Sequence, residues 1–171
     1  MSMAASQPRS DSRLVLMGVA GCGKTSVGEA LSAATGIPFR DGDDLHPPAN
    51  VAKMRRGEPL TDEDRWPWLA LVGQALTHAP LIIGCSALKR RYRDVITVQA
   101  KAPVTFIHLS GSRDLIAARM NARKGHFMPP TLLASQFAAL EPPAQDENAF
   151  TVDIDQTLDR IVADIIAAFT T

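Results

Sequence analysis

The run Gly18-Val19-Ala20-Gly21-Cys22-Gly23-Lys24-Thr25 constrains this chain more than any other feature, because it fits the phosphate-loop pattern G-x-x-x-x-G-K-[ST] without a gap. Its neighbours agree with it. Arg13 to Gly18 reads as a buried apolar strand, and Lys24 to Thr35 reads as a helix closed by Gly36 and Pro38. A strand, a glycine-rich turn and a helix start, in that order, wrap backbone N–H groups around a phosphate with no Cβ in the way. The helix N-terminus adds partial positive charge at the same point. Gly18, Val19, Ala20, Gly21, Cys22, Gly23, Lys24, Thr25 and Ser26 are therefore the expected nucleotide contacts. Lys24 is expected to reach the β- and γ-phosphates, and the Thr25 hydroxyl to ligate Mg²⁺. Cys22 falls at a loop position where the identity of the side chain is expected to be free.

The remainder of the chain repeats the alternation. Strand-like runs cover Pro38 to Asp41, Leu81 to Cys85, Val104 to Leu109 and, more weakly, Phe150 to Ile154. Helix-period stretches lie between them. One spans Thr61 to His78, capped by Thr61 and followed by the acidic turn Asp62, Glu63, Asp64, with Pro67 early enough to be tolerated. The last puts Leu158, Ile161, Val162, Ile165, Ile166 and Phe169 on one face, with Asp155 as its expected cap. Apolar strands separated by helices predict an α/β fold, a parallel sheet covered on both faces. With 171 residues and no repeat, one domain is expected over 13–171, after a tail of residues 1–12 expected to be disordered.

Charge excludes some functions. Lys+Arg and Asp+Glu both number 18, which argues against a dedicated nucleic-acid binder. No apolar run approaches the roughly 18 residues that would cross a bilayer. Met1 to Ser12 lacks the apolar stretch of a secretory signal. Two cysteines, Cys22 and Cys85, make no disulfide framework. A cytoplasmic protein with reduced thiols is expected, with neither nucleic acid nor membrane as partner.

Further motifs narrow the reading. Asp41-Gly42-Asp43 ends the second strand and leads into Leu45-His46-Pro47, Asn50 and Lys53-Met54. Gly57-Glu58-Pro59-Leu60, Asp62, Asp64-Arg65 and Pro67-Trp68 follow. Then come Cys85-Ser86-Ala87-Leu88-Lys89, Tyr92-Arg93-Asp94, Ala122-Arg123-Lys124-Gly125-His126-Phe127, Gln136-Phe137 and Leu140-Glu141. This succession, from Leu16 to about Leu158, closely resembles the bacterial gluconate kinases. The resemblance implies a three-layer P-loop fold of the nucleoside-monophosphate-kinase type, with five parallel strands in the order 2-3-1-4-5 and a helical lid near residues 121–140. It implies ATP-dependent phosphorylation of D-gluconate at its 6-hydroxyl, a layout similar to shikimate kinase, and a homodimer.

The residues can be weighed against that implication. In an open α/β sheet the ligand lies beyond the carboxyl ends of the strands, where the phosphate loop, DGD and CSALK would meet. An adjacent carboxylate can take the acceptor's proton. Asp43 is the first candidate, and Asp41 is the candidate for holding Mg²⁺ through water; the two could exchange roles. A substrate carboxylate suits a guanidinium fork, so Arg65 and Arg93 lead, with Lys89 and Arg55 behind them. His46 could bond a sugar hydroxyl. In the lid, Arg119, Arg123, Lys124 and His126 could neutralise charge on the transferring group, with Arg123 as the first phosphate contact and His126 near the substrate. Trp66, Trp68 and His108 read as packing residues. The carboxylate that often follows the third strand is absent, since Leu81 to Cys85 leads to Ser86. Pro129-Pro130 predicts a stiff lid entry. Two alternatives stay open: a kinase for another hydroxy acid such as shikimate, and a regulatory module that hydrolyses ATP slowly.

Overall fold

The computed structural model describes residues 11–122 and 130–169. Five strands form one parallel sheet: β1 (Arg13–Met17), β2 (Phe39–Asp41), β3 (Leu81–Gly84), β4 (Thr105–Ser110) and β5 (Ala149–Asp153). Their spatial order is β2-β3-β1-β4-β5, as the resemblance implies. The helices are α1 (Lys24–Thr35), α2 (Pro48–Arg55), α3 (Asp62–Ala75), α4 (Arg90–Ala100), α5 (Arg113–Ala122), α6 (Pro130–Ala139) and α7 (Leu158–Phe169).

Side chains on a strand alternate between the two faces, so a strand covered on both sides must be apolar throughout. β1 shows this directly. Leu14 and Leu16 belong to one core cluster, with Val27 and Leu31 of α1 and Ile161 and Ile165 of α7. Val15 and Met17 belong to the other, with Leu69 and Val72 of α3 and Tyr92 and Ile96 of α4. The central strand thus holds two helix layers apart and binds both.

Local signals explain the helix ends. Gly23 precedes α1 in a left-handed conformation, φ 100°, and Gly36 ends it at φ 76°. A capping box starts α3: Asp64 N–H donates to Thr61 Oγ1 at 3.2 Å and Thr61 N–H donates to Asp64 Oδ2 at 2.9 Å. The expected cap of the last helix is corrected. α7 begins at Leu158, and Thr157 Oγ1 accepts the Arg160 N–H, at 3.3 Å. Asp155 instead donates its N–H to Asp153 Oδ1 in a turn just after β5. Asp155 lies too far upstream to meet the free amides of the first turn.

α3 and α4 pack closely because Gly73 carries no side chain. A Cβ there would stand 2.5 Å from Gln99 Cβ and 2.6 Å from the Ile96 carbonyl oxygen. The second neighbour is backbone and cannot turn away. Gly73→Ala should therefore destabilise the fold by about 1–3 kcal/mol, the usual cost of overpacking. Urea unfolding measures this, and an unchanged midpoint would contradict the packing described.

Candidate functional site

Strand register brings the catalytic candidates to one edge. Leu16 of β1 pairs with Gly84 of β3, and Gly84 pairs with Asp41 of β2. The three strands therefore end level. Two residues further along each chain stand Gly18, Ser86 and Asp43, and the Gly18 N–H donates to the Ser86 carbonyl at 3.1 Å. The phosphate loop, CSALK and DGD open from a single line.

The loop has the geometry its sequence implies. Gly18, Gly21 and Gly23 all have positive φ, at 147°, 83° and 100°, which L side chains seldom adopt. Lys24 Nζ donates to the Gly18 and Val19 carbonyls at 2.9 and 3.1 Å, which hold the ammonium over the loop. Thr25 is exposed in the first turn of α1. Cys22 corrects one expectation. It is 1 % exposed and belongs to the core, and its Sγ would lie 2.8 Å from a Cβ on Gly18. That side chain is a packed plug beneath the loop, not a free position.

Asp41 and Asp43 adjoin this cradle. Asp41 Oδ1 accepts the Asp43 N–H at 2.9 Å and so caps a single 3-10 turn, Gly42–Leu45. The Asp43 side chain is 78 % exposed to solvent. Partial desolvation at its base raises its pKa above the usual carboxylate range, Asp41 raises it further, and Lys24 opposes both. Asp43 therefore feels both the neighbouring acid and the phosphate-loop lysine. The buried Cys85 thiol, pushed up to about 12 mainly by burial, senses Lys24, Asp43 and Asp41 as well.

His46 follows on the other side of Asp43. Its ring stacks on Trp68, with centroids 4.0 Å apart and planes at 17°. Burial, then the nearby Arg65 charge, lowers its pKa to about 4. Arg65 in turn donates to the Leu60 carbonyl at 2.7 Å and lies 5.5 Å from the Tyr92 ring centre. Lys89 Nζ lies 5.7 Å from the same centre and forms no ion pair among the described residues. Lys24, Asp43, His46, Arg65, Tyr92 and Lys89 thus form one electrostatic chain along the crevice.

Arg93 is the clearest correction. The expected substrate fork is 1 % exposed. Its Nε and Nη2 bond both carboxylate oxygens of Glu147, at 2.7 and 3.1 Å. Nη1 donates to the Ala87 carbonyl at 2.8 Å, and Nη2 also to the Glu141 carbonyl at 3.0 Å. Bonding to Arg93 lowers the Glu147 pKa. With its donors taken up this way, Arg93 fastens the CSALK loop to the segment that leaves α6, and has no fork left for a ligand.

The other expected residues divide. Arg119 donates to the Ile154 carbonyl at 2.6 Å, tying α5 to the end of β5. Met120 of the same helix packs on Gly21 of the phosphate loop. Arg55 is exposed at the end of α2. Arg123, Lys124, His126 and Pro129 lie outside the described residues. His108 is buried as expected and lines a cavity of about 200 Å³ with Val19, Thr151 and Phe137; burial lowers its pKa.

Three contributions escaped the sequence reading. Trp68 packs as expected, but its Nε1–H also donates to the Gly42 carbonyl at 2.8 Å, fixing the DGD turn. Gln136 of α6 accepts the Ala20 N–H of the phosphate loop at 2.6 Å through Oε1. Tyr92 presents its ring to Arg65 and Lys89 while its hydroxyl donates to Asp62 at 2.5 Å. A Trp spaced at a helix period from an apolar face signals burial only, and nothing in the local sequence marks its distant acceptor.

The donor set fits Mg²⁺. A hydroxyl and a carboxylate are hard oxygen ligands, and Mg²⁺ commonly takes one or two protein oxygens beside phosphate and water. Among the described residues no group of three or more His, Cys, Asp or Glu could form a dedicated metal cage.

The chain can be compared with known proteins on this basis. A family model described as shikimate kinase matches residues 20–169. The gluconokinase of Gluconobacter oxydans (strain 621H) is 44% identical over 161 residues, covering 91% of this chain and 90% of that protein. A crystal structure of a gluconokinase from Sinorhizobium meliloti 1021 superposes with a TM-score of 0.88 at 47% identity, covering 95% of this chain and 94% of that one. Shikimate kinase from Bacteroides thetaiotaomicron, 15% identical with a TM-score of 0.68, shares the fold.

Two measurements follow from this geometry. Removing one partner of a buried ion pair strands the other charge, so Arg93→Met should cost about 3 kcal/mol in urea unfolding. His46 gives a pH dependence. Its folded pKa of about 4 lies below the ordinary 6.5. Between those values the unfolded chain binds a proton that the folded ring refuses, so stability falls as pH drops through the window. His108 acts with the same sign. His46→Gln should therefore reduce, and not abolish, the acid slope. Matches of this extent and identity, together with the phosphate loop and the sheet order, place the chain in the gluconokinase family of P-loop kinases.

Proposed function

We propose that this enzyme transfers the γ-phosphoryl group of ATP to the 6-hydroxyl of D-gluconate, giving 6-phospho-D-gluconate and ADP. The observation that carries the reading is Asp43, set between the phosphate-loop Lys24 and the His46–Arg65 wall, with its pKa raised. A carboxylate of raised pKa is a better proton acceptor near neutral pH. As the acceptor oxygen bonds to the γ-phosphorus and the bridge to ADP breaks, the hydroxyl proton passes to Asp43. Lys24 and the loop amides bind the phosphates and draw off the charge that develops on the leaving group. Bound Mg²⁺ would supply further charge neutralisation across the phosphates, and Thr25 and Asp41 are the residues that would hold it.

The cations beyond Asp43 suit the other end of the substrate. Arg65 and Lys89, both over the Tyr92 ring, make a positive wall for the gluconate carboxylate. His46, its side chain almost wholly buried, would reach the polyol through Nε2, which stands 3.9 Å from Asp43 Oδ1. Arg123 as phosphate contact, and Arg55 and His126 as substrate contacts, rest on the motif resemblance alone, as does a homodimer. Arg119 is assigned to nucleotide binding because its helix leans on the loop at Gly21. Cys22 and Cys85 are both free, in keeping with a reducing compartment, and we assign the enzyme to the cytoplasm. No helix of the described residues is long and apolar enough to cross a membrane.

Gluconate is favoured over shikimate because the relatives of high identity bear the gluconokinase name, whereas the shikimate kinase structures share only the fold. An ADP-release assay over a panel of acceptors tests the choice. Robust turnover is expected with gluconate and little with shikimate. Turnover with shikimate and none with gluconate would overturn it.

A further inference from the structure

Asn50 is 3 % exposed, among the few buried polar residues of the chain. None of its hydrogen bonds goes to a residue assigned to phosphate or metal. Its Nδ2 donates to the Asp64 carbonyl oxygen at 2.9 Å, and the same Nδ2 stands 3.3 Å from His46 Nδ1. These contacts decide the protonation of the ring. A carbonyl oxygen only accepts, so the Asp64 contact fixes which end of the Asn50 amide is NH₂. An NH₂ group only donates, so His46 Nδ1 must accept, and the proton of the neutral ring lies on Nε2. Nε2 is the nitrogen that faces Asp43, 3.9 Å from its Oδ1. Stacking on Trp68 holds the ring plane, and Trp68 is itself bonded to the carbonyl of Gly42, the residue before Asp43.

We propose that Asn50 is a positioning residue that locks His46 as the Nε2–H tautomer, so that the ring offers a hydrogen-bond donor beside Asp43 to a hydroxyl oxygen of the acceptor. The inference rests on the acceptor being a polyhydroxy acid bound in this crevice. A neutral donor suits the task. It binds a hydroxyl oxygen next to the reacting centre without adding positive charge beside the carboxylate that must take a proton. The opposite tautomer would turn a lone pair toward Asp43, and the acceptor would then have to supply the proton of that bond itself. Asn50 also joins the turn after β2 to the first turn of α3 through Asp64, whose carboxylate accepts from Lys53 at 2.7 Å as well as from the Thr61 N–H. The donor is thereby referenced to the helix that carries Arg65.

The test uses the full chain, with ring nitrogens labelled and His46 assigned by comparison with His46→Gln. Two-bond ¹H–¹⁵N correlation at neutral pH should show His46 protonated on Nε2 and bare on Nδ1. A wild-type spectrum with the proton on Nδ1 overturns the proposal, whether or not any variant folds. In Asn50→Leu the tautomers should mix, and KM for gluconate should rise about tenfold while KM for ATP stays within twofold. In the His46→Gln background the carboxamide N–H needs no tautomer, so adding Asn50→Leu should cost no further gluconate affinity. An equal loss in both backgrounds, or an equal rise in KM for ATP, would reduce Asn50 to a structural role and overturn the proposal. Absence of gluconate turnover in the wild type would instead strike at the substrate assignment, leaving the spectrum to decide the tautomer.

Discussion

The parallel pairing of β2, β3 and β1 in one register is the constraint on which the site depends. Leu16, Gly84 and Asp41 stand level across three strands. Because all three run the same way, the chain leaves each of them at the same edge of the sheet. A phosphate loop, a backbone shelf and a carboxylate turn are thus delivered together by hydrogen bonding in the ladder. A slip of one residue in β2 would move Asp43 off this line and reverse the faces of its neighbours. The DGD turn is then secured a second time by Trp68 from α3, through the Gly42 carbonyl.

A division of labour runs through the charged residues. Those facing the crevice are held by partial contacts, such as Arg65 on a carbonyl and a ring, or Lys89 on a ring alone. They keep donors available. Arg93 is the reverse, fully enclosed and bonded to Glu147 and to two carbonyls. It joins the β3–α4 loop to the segment after α6. Glu141 adds to that joint, its N–H donating to the Leu88 carbonyl at 2.7 Å and its carboxylate accepting the Arg90 N–H at 3.0 Å. Gln136, within α6 itself, fixes that helix to the phosphate loop. α6 and the segment after it are therefore anchored to both the phosphate loop and the β3–α4 loop.

Much of the fold was legible because local and global signals agree. The five strands and α1 lie where apolar runs and the glycine punctuation put them, within a residue or so at each end. The phosphate loop was legible because its chemistry is backbone, carried by glycines at fixed spacing. Partner choice was not. Arg93 and Arg65 are alike in sequence, each near an acidic residue on a helix. Only the fold brings Glu147, 54 positions away, onto Arg93, while Arg65 meets nothing stronger than a carbonyl and a distant Asp62 at 3.9 Å. Cys22 was misread for the same reason, since nothing in its neighbours' identity says that the loop turns this side chain inward. The Asp155 cap failed by two residues, the usual scale on which a helix start is uncertain when several polar residues adjoin it.

The central claim is that Asp43 takes the acceptor's proton while Lys24 and its loop hold the nucleotide. Gluconate-dependent ADP release by Asp43→Asn, measured beside ATP affinity, tests it most directly. The amide keeps the shape and cannot accept the proton, so turnover should fall by about 10²–10⁴ with ATP affinity almost unchanged. Undiminished gluconate turnover in that variant would contradict the account, as would a loss explained wholly by weakened ATP binding.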